Sequence, residues 1–179
     1  MPSTHFIVEA YNNRYGTQVT LAKAHSSKNP EWAAPRDEVM RRLQEIQRSV
    51  EYGAIPPFPE AVEVCRQLAK DHTLHLVTAR DGEVFEITKA MLDRFFPKVF
   101  SEIHHVGSSG SKGEVCTQLS AKVLIDDSIK HLEIAQKCGV PYLIWYGQYP
   151  WQQLSEDADV TRCITWQAVV EEVERIASY

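Results

Sequence analysis

The chain has 179 residues, 44% of them hydrophobic and 24% charged, with a formal net charge of -5. That length fits one domain with a small subdomain and buries an ordinary core. The acidic balance excludes an electrostatic footprint for nucleic acid or anionic membrane. No apolar run reaches the roughly 18 residues needed to span a bilayer, and the start "MPSTHFIVEAYNN" has no leader-like pattern. The cysteines Cys65, Cys116, Cys138 and Cys163 are widely spaced, the pattern of reduced thiols in a cytoplasmic protein rather than of a zinc site.

The elements in chain order begin with helices. Residues 3–15 place Phe6, Ile7, Ala10 and Tyr11 on one helical face and stop at Gly16. "HSSKNPEWAAP" has the composition of a loop. Residues 36–51 predict one charged amphipathic helix with Val39, Leu43, Ile46 and Val50 facing inward, and Pro56 and Pro57 then interrupt the chain.

From there helices and strands alternate. A helix over 59–70 is followed by a strand at 73–78, a helix at 83–94 and a short strand at 102–106. A helix from Lys112, a strand at 122–126, a helix at 128–138 and a strand at 141–146 come next. "VTRCITW" supplies a last strand and residues 166–177 a last helix. This alternation predicts an α/β fold, a Rossmann-like parallel sheet with helices on both faces. We expect two parts, a helical segment over 1–55 and an α/β core over 56–179.

Ligands in such sheets bind at the carboxyl ends of the strands. Thr78, Arg80, Asp126 and Asp127 all fall there. Two adjacent aspartates at the end of the apolar run "VLIDDS" suit a hard cation such as Mg²⁺, which takes carboxylate oxygens and often shares a ligand phosphate. Equally, one aspartate caps the next helix while the other is solvated. The Thr78 hydroxyl can donate to an anionic oxygen or bond locally. Lys112, in the Gly/Ser-rich "GSSGSKGEVC", can neutralise phosphate or simply be solvated. His104 and His105 are neighbours on a strand and point to opposite faces, so the two together do not easily chelate one metal and read as structural or exposed. Trp145 and Trp151 flank "YGQYP" as packing residues or as an aromatic wall for a small molecule.

Taken in order, "LVTAR", "SK" and "VLIDDS" resemble the second, third and fourth motifs of the haloacid dehalogenase superfamily, a group dominated by phosphatases. The resemblance covers about residues 55–150, and "YGT", "SKGEVC" and "YPW" are similar to a 5'-nucleotidase-like subgroup. It implies a helical cap, Mg²⁺ on Asp126 and Asp127, catalytic roles for Lys112, Asp126 and Asp127, and ligand binding by Thr78, to which the strand-end position of Arg80 and the aromatic Trp151 add two ligand-binding candidates.

The family's first motif, an Asp-x-Asp on the first core strand, has no match. The first aspartate is Asp37 within a charged helix, and the next is Asp71. Without that carboxylate, phosphoryl transfer through an aspartyl intermediate has no nucleophile. A Mg²⁺ site would also lose a ligand and weaken. The family's first strand lies between those ending at Thr78 and Ile125. We therefore expect these two strands to pair directly, or another segment or subunit to fill the gap, and hence a homodimer. The leading reading is a repurposed small-molecule enzyme using the cleft between cap and core. The alternatives are a non-catalytic binding protein and an Mg²⁺-dependent phosphatase truncated at its N-terminus.

Overall fold

The computed structural model describes residues 2–80, 82–107, 109–152 and 159–178. The chain divides into two compact units, Met1–Val62 with Gly82–Pro97, and Glu63–Asp81 with Lys98–Tyr179. A single cut between residues 55 and 56 does not capture this, because the helix after the first strand packs with the N-terminal helices.

The first unit is helical: α1 (Pro2–Tyr15), α2 (Arg36–Gln47), α3 (Val50–Gly53) and, after an excursion into the second unit, α5 (Gly82–Phe95). Its core gathers Val8, Tyr11, Val19, Trp32, Val39 and Ile46. The stretch with loop composition therefore carries a core tryptophan. Asn29 caps a single 3-10 turn at Pro30–Trp32. The Trp32 indole donates to the Ser26 carbonyl at 2.9 Å, and the Tyr11 hydroxyl donates to the Trp32 carbonyl at 3.0 Å. Buried polar groups are thereby satisfied inside a segment without regular structure.

The long helix expected over 36–51 is broken. Ser49 turns extended, its hydroxyl accepts from the Tyr52 N–H at 3.2 Å, and α3 starts anew. The N-cap re-aims the chain: Val50, expected inward, is 84% exposed, and Tyr52 is buried in its place.

The second unit, which α4 (Pro59–Leu68) leads into, holds five strands among its described residues. These are β1 (His75–Thr78), β2 (Glu102–His105), β3 (Val123–Asp126), β4 (Tyr142–Tyr146) and β5 (Thr161–Cys163). Every pairing is parallel, as the alternating elements require. On β3 and β4 alternate residues go to opposite cores. Val123, Ile125 and Ile144 meet Val64 and Leu68 of α4 and Val169, Val170 and Val173 of α8 (Trp166–Ala177). Leu124, Leu143 and Trp145 meet Cys116 of α6 (Lys112–Gln118) and Leu132 and Ala135 of α7 (Ile129–Lys137). The result is a sheet covered on both faces.

That sheet is split. β1 pairs with β2, and β3 with β4 and β5, but β1 and β3 are not hydrogen-bonded to each other. The first alternative, direct pairing of these two strands, does not occur. Each strand keeps one side without a strand partner among the described residues. Leu76, Val77 and Ile125 are only half-buried, where inner strands of a parallel sheet are normally enclosed. All four cysteines are free, and no helix among the described residues is long and apolar enough to cross a membrane.

Candidate functional site

The site is assembled at the carboxyl end of β3, where the apolar strand gives way to the first turn of α7. Asp126 is the last residue of β3, and its side chain is 4% exposed. One oxygen, Oδ2, receives the Lys112 ammonium at 2.6 Å. The other, Oδ1, accepts the Ser128 N–H at 2.8 Å and lies 3.1 Å from His131 Nδ1. Burial pushes this carboxyl's pKa up, but the His131 hydrogen bond and the Lys112 charge outweigh it, and the net displacement is downward. Asp126 is thus an ionised, buried anchor.

Lys112 reaches Asp126 because α6 begins there. Ser111 caps the helix, its hydroxyl accepting from the Glu114 N–H at 3.2 Å. Gly113 lets the helix lie close against α7: a Cβ at that position would sit 2.7 Å from Ala135 Cα. The glycine after the lysine is therefore a packing requirement that delivers the ammonium to the strand end.

Asp127 is held differently. Its carbonyl accepts the Trp145 indole N–H at 3.1 Å and the Gln152 amide at 2.9 Å. Gln152 also donates to the Tyr146 carbonyl at 2.8 Å and accepts from the Tyr149 N–H at 2.9 Å. One amide side chain therefore fixes the loop after β4 to the backbone of the aspartate. The Asp127 carboxyl is displaced upward, first by burial and then by the neighbouring Asp126 charge, with Lys112 opposing. Two adjacent carboxylates have been driven apart in acidity, the arrangement that separates charge-holding from proton-transfer roles.

Trp151 lies in that loop and stacks on Tyr149 with ring centroids 4.8 Å apart and planes 6° from parallel. Gly147 makes the turn at φ +93°, and a Cβ there would meet the Tyr149 ring at 2.5 Å. The Tyr149 hydroxyl is pushed up to about 12, chiefly by burial, with Tyr146 and Asp127 adding. The stacked pair therefore lies within electrostatic reach of Asp127.

Thr78 is buried at the carboxyl end of β1, its hydroxyl accepting the Arg80 N–H at 3.2 Å. Lys112, Asp126 and Asp127 come together, whereas Thr78 closes β1, in the other sheet, and Arg80 follows two residues later. His131 and Gln152 escaped the sequence reading. His131 lies on the first turn after the aspartates, a position at which a ring can fold back onto a strand end. No local signal points to Gln152.

As for Mg²⁺, Asp126 already accepts from two nitrogen groups on Oδ1 and from Lys112 on Oδ2, which leaves a lone pair of Oδ2 for a cation beside the Asp127 carboxylate. The set fits Mg²⁺ as a carboxylate site completed by water and by the ligand's own oxygens.

No family model matches the sequence, and no curated protein matches it. Among solved structures, a haloacid dehalogenase-like family hydrolase from Streptococcus pneumoniae superposes with a TM-score of 0.67. Identity is 12%, over 96% of this chain and 90% of that one. The chain has the haloacid dehalogenase-like fold.

Proposed function

We propose that this is a haloacid dehalogenase-like protein turned to a small anionic molecule, using the carboxyl end of β3 without an aspartyl nucleophile. The observation that carries the reading is the unequal state of the two aspartates. Asp126 is held ionised by Lys112, His131 and the Ser128 N–H, so it positions rather than transfers a proton. Asp127, raised toward the neutral form, is the proton-transfer group. An ammonium has three donors. The one given to Asp126 leaves two for an anionic oxygen of the ligand, with the Tyr149–Trp151 stack as an apolar wall. Thr78, at the end of β1, and Arg80, just after it, serve the same ligand. Mg²⁺ binds weakly, through the two aspartates and the ligand together.

Two other readings have an observation behind them. The closed Lys112–Asp126 pair favours ligand binding without turnover. The split between β1 and β3 favours a phosphatase whose nucleophile-bearing strand lies outside this sequence. It also favours a homodimer in which a second copy covers the open strand edges. We place the protein in the cytoplasm, in keeping with four free cysteines.

The test is hydrolysis of p-nitrophenyl phosphate with Mg²⁺ by the 179-residue chain. The expected result is no turnover above that of Asp126→Asn. Mg²⁺-dependent hydrolysis abolished by that substitution would overturn the proposal. Mass spectrometry of small molecules released from the purified protein then supplies a ligand. Turnover lost in Asp127→Asn with binding retained distinguishes an enzyme from a binding protein. Light scattering settles the dimer, and a monomer at high concentration counts against it.

A further inference from the structure

A second cluster of metal-ligating side chains lies at the other end of β1, apart from the aspartates. The parallel register places His75 opposite Glu102 and Val77 opposite His104. Residues two apart on a strand share a face, so Glu102 and His104 lie on the same side of β2. Register puts His75 on that side too.

The donor atoms converge. His75 Nδ1 lies 3.0 Å from His104 Nε2, and His104 Nε2 lies 3.7 Å from a Glu102 carboxylate oxygen. One donor atom from each of the three residues falls within 4.8 Å of the others. Two ligands at zinc–nitrogen distances on a tetrahedral ion stand roughly 3.3–3.4 Å apart. The separations of 3.0 and 3.7 Å lie on either side of that value, and the third, between His75 and Glu102, falls within 4.8 Å, so an ion enters once the exposed Glu102 side chain swings toward His75. A contact of 3.0 Å between two imidazole nitrogens is also a hydrogen bond if one ring donates. The carboxylate beside the same nitrogen is what that simpler account leaves unused.

We propose that His75, Glu102 and His104 bind a borderline transition-metal ion of the zinc class, with a fourth position left to solvent. Two imidazoles and one carboxylate select such an ion over Mg²⁺, which prefers all-oxygen surroundings. Glu102 is largely exposed, with 65% of its side chain accessible, which gives the ion a path in. Both strands supply ligands, so the ion acts as a clamp between β1 and β2. Its role is to hold an edge pair of four rungs in place.

The experiment uses the full chain stripped with chelator, then titrated with Zn²⁺ alone and with Co²⁺ alone. We expect one equivalent of tight binding and a rise in melting temperature with Zn²⁺ but not with Mg²⁺. The Co²⁺ spectrum should show visible d–d bands without near-ultraviolet thiolate charge transfer, separating this site from the four cysteines. His75→Ala and His104→Ala should abolish that equivalent. Glu102→Gln, on an exposed position that folding does not depend on, should weaken it by at least about tenfold, the lower range for losing even an outer-shell partner. Binding unchanged in Glu102→Gln, a thiolate spectrum, or an equal response to Mg²⁺ would overturn the proposal. The readouts are metal content, spectrum and melting temperature, so they stand whatever the fate of the aspartate site.

Discussion

Replacing Lys112 by Met keeps most of the side-chain length and removes the charge that Asp126 faces at 2.6 Å. The lysine side chain is 17% exposed and the aspartate 4%, so the pair is screened little. At an effective dielectric near 20, two unit charges at that distance attract by about 6 kcal/mol. Returning the ammonium to water recovers part of this, since its hydration was lost on burial. Stripping one partner from a buried pair typically costs about 3–5 kcal/mol. Asp126 keeps its bonds to His131 and the Ser128 N–H, so we expect the lower side, about 2–4 kcal/mol. Urea unfolding at pH 7 of the wild type, Lys112→Met, Asp126→Asn and the double variant measures it. The double-mutant cycle should show coupling of at least about 1 kcal/mol.

The pH dependence gives an independent check on the same pair. Asp126 is displaced below its ordinary 3.8 in the folded protein. Its contribution is therefore fully present above 3.8 and is lost as the pH falls through the folded value. The stability gap between wild type and Lys112→Met should therefore narrow in acid, starting where Asp126 of the variant, still buried but without the Lys112 charge, takes up its proton. A gap at pH 7 under about 0.5 kcal/mol, or strict additivity in the cycle, would refute the account of Asp126 as an anchor.

Three further outcomes follow from particular contacts. Asp127 is raised above its ordinary 3.8, so the folded protein loses stability as pH climbs from 3.8 through the folded value. Asp127→Asn should therefore melt higher than wild type at neutral pH and equal to it in acid, which calorimetry can follow. Gly113→Ala would place a Cβ 2.7 Å from Ala135 Cα. Backbone must move to relieve that, so a loss of about 1–3 kcal/mol is expected by denaturant unfolding. Val50→Ala should change stability by less than about 0.5 kcal/mol, whereas Ile46→Ala should cost about 2–4. Equal losses at the two positions would mean that α2 runs on through Ser49.

β1, β3 and β4 were legible because each is a short run rich in apolar residues between helical patterns, whereas β2 and β5, with the sequences Glu-Ile-His-His and Thr-Arg-Cys, are marked mainly by their place in the alternation. The end of β3 was legible for the same reason, since an apolar run can stop at Asp126 only where the strand leaves the core. The break at Ser49 was hidden: a serine inside an amphipathic run looks like a surface position, and only the bond to the Tyr52 N–H shows it starting a helix. Trp32 was hidden because composition describes a loop's surface and not its anchor. Lys112, Asp126 and Asp127 could be named, but their division of labour could not. It depends on His131, which folds back onto Asp126 only once the first turn of α7 has formed, and on Gln152, which reaches the Asp127 carbonyl from 25 residues away. The cluster at His75 escaped because the register of two parallel strands separated by a helix is not written in either strand. Alternation correctly sent His104 and His105 to opposite faces, and the partner of His104 lay on another strand.

The ends of β1 tie the metal cluster to the proposed ligand site. β1 carries His75 at its first residue and Thr78 at its last, with two residues between them. Its only hydrogen-bonded strand neighbour among the described residues is β2. A strand held on one side by four rungs is free to shift or fray unless something else fixes it. α6 packs against β1 as well as against α7, so displacement of β1 would act on the helix that presents Lys112 to Asp126. A cation bridging His75 and His104 would steady β1 at the end remote from Thr78. Zn²⁺ should then slow amide hydrogen exchange at Leu76 and Val77 in the wild type and leave it unchanged in Glu102→Gln. Equal exchange with and without Zn²⁺ in the wild type would separate the two ends of the strand and confine the ion to a local role.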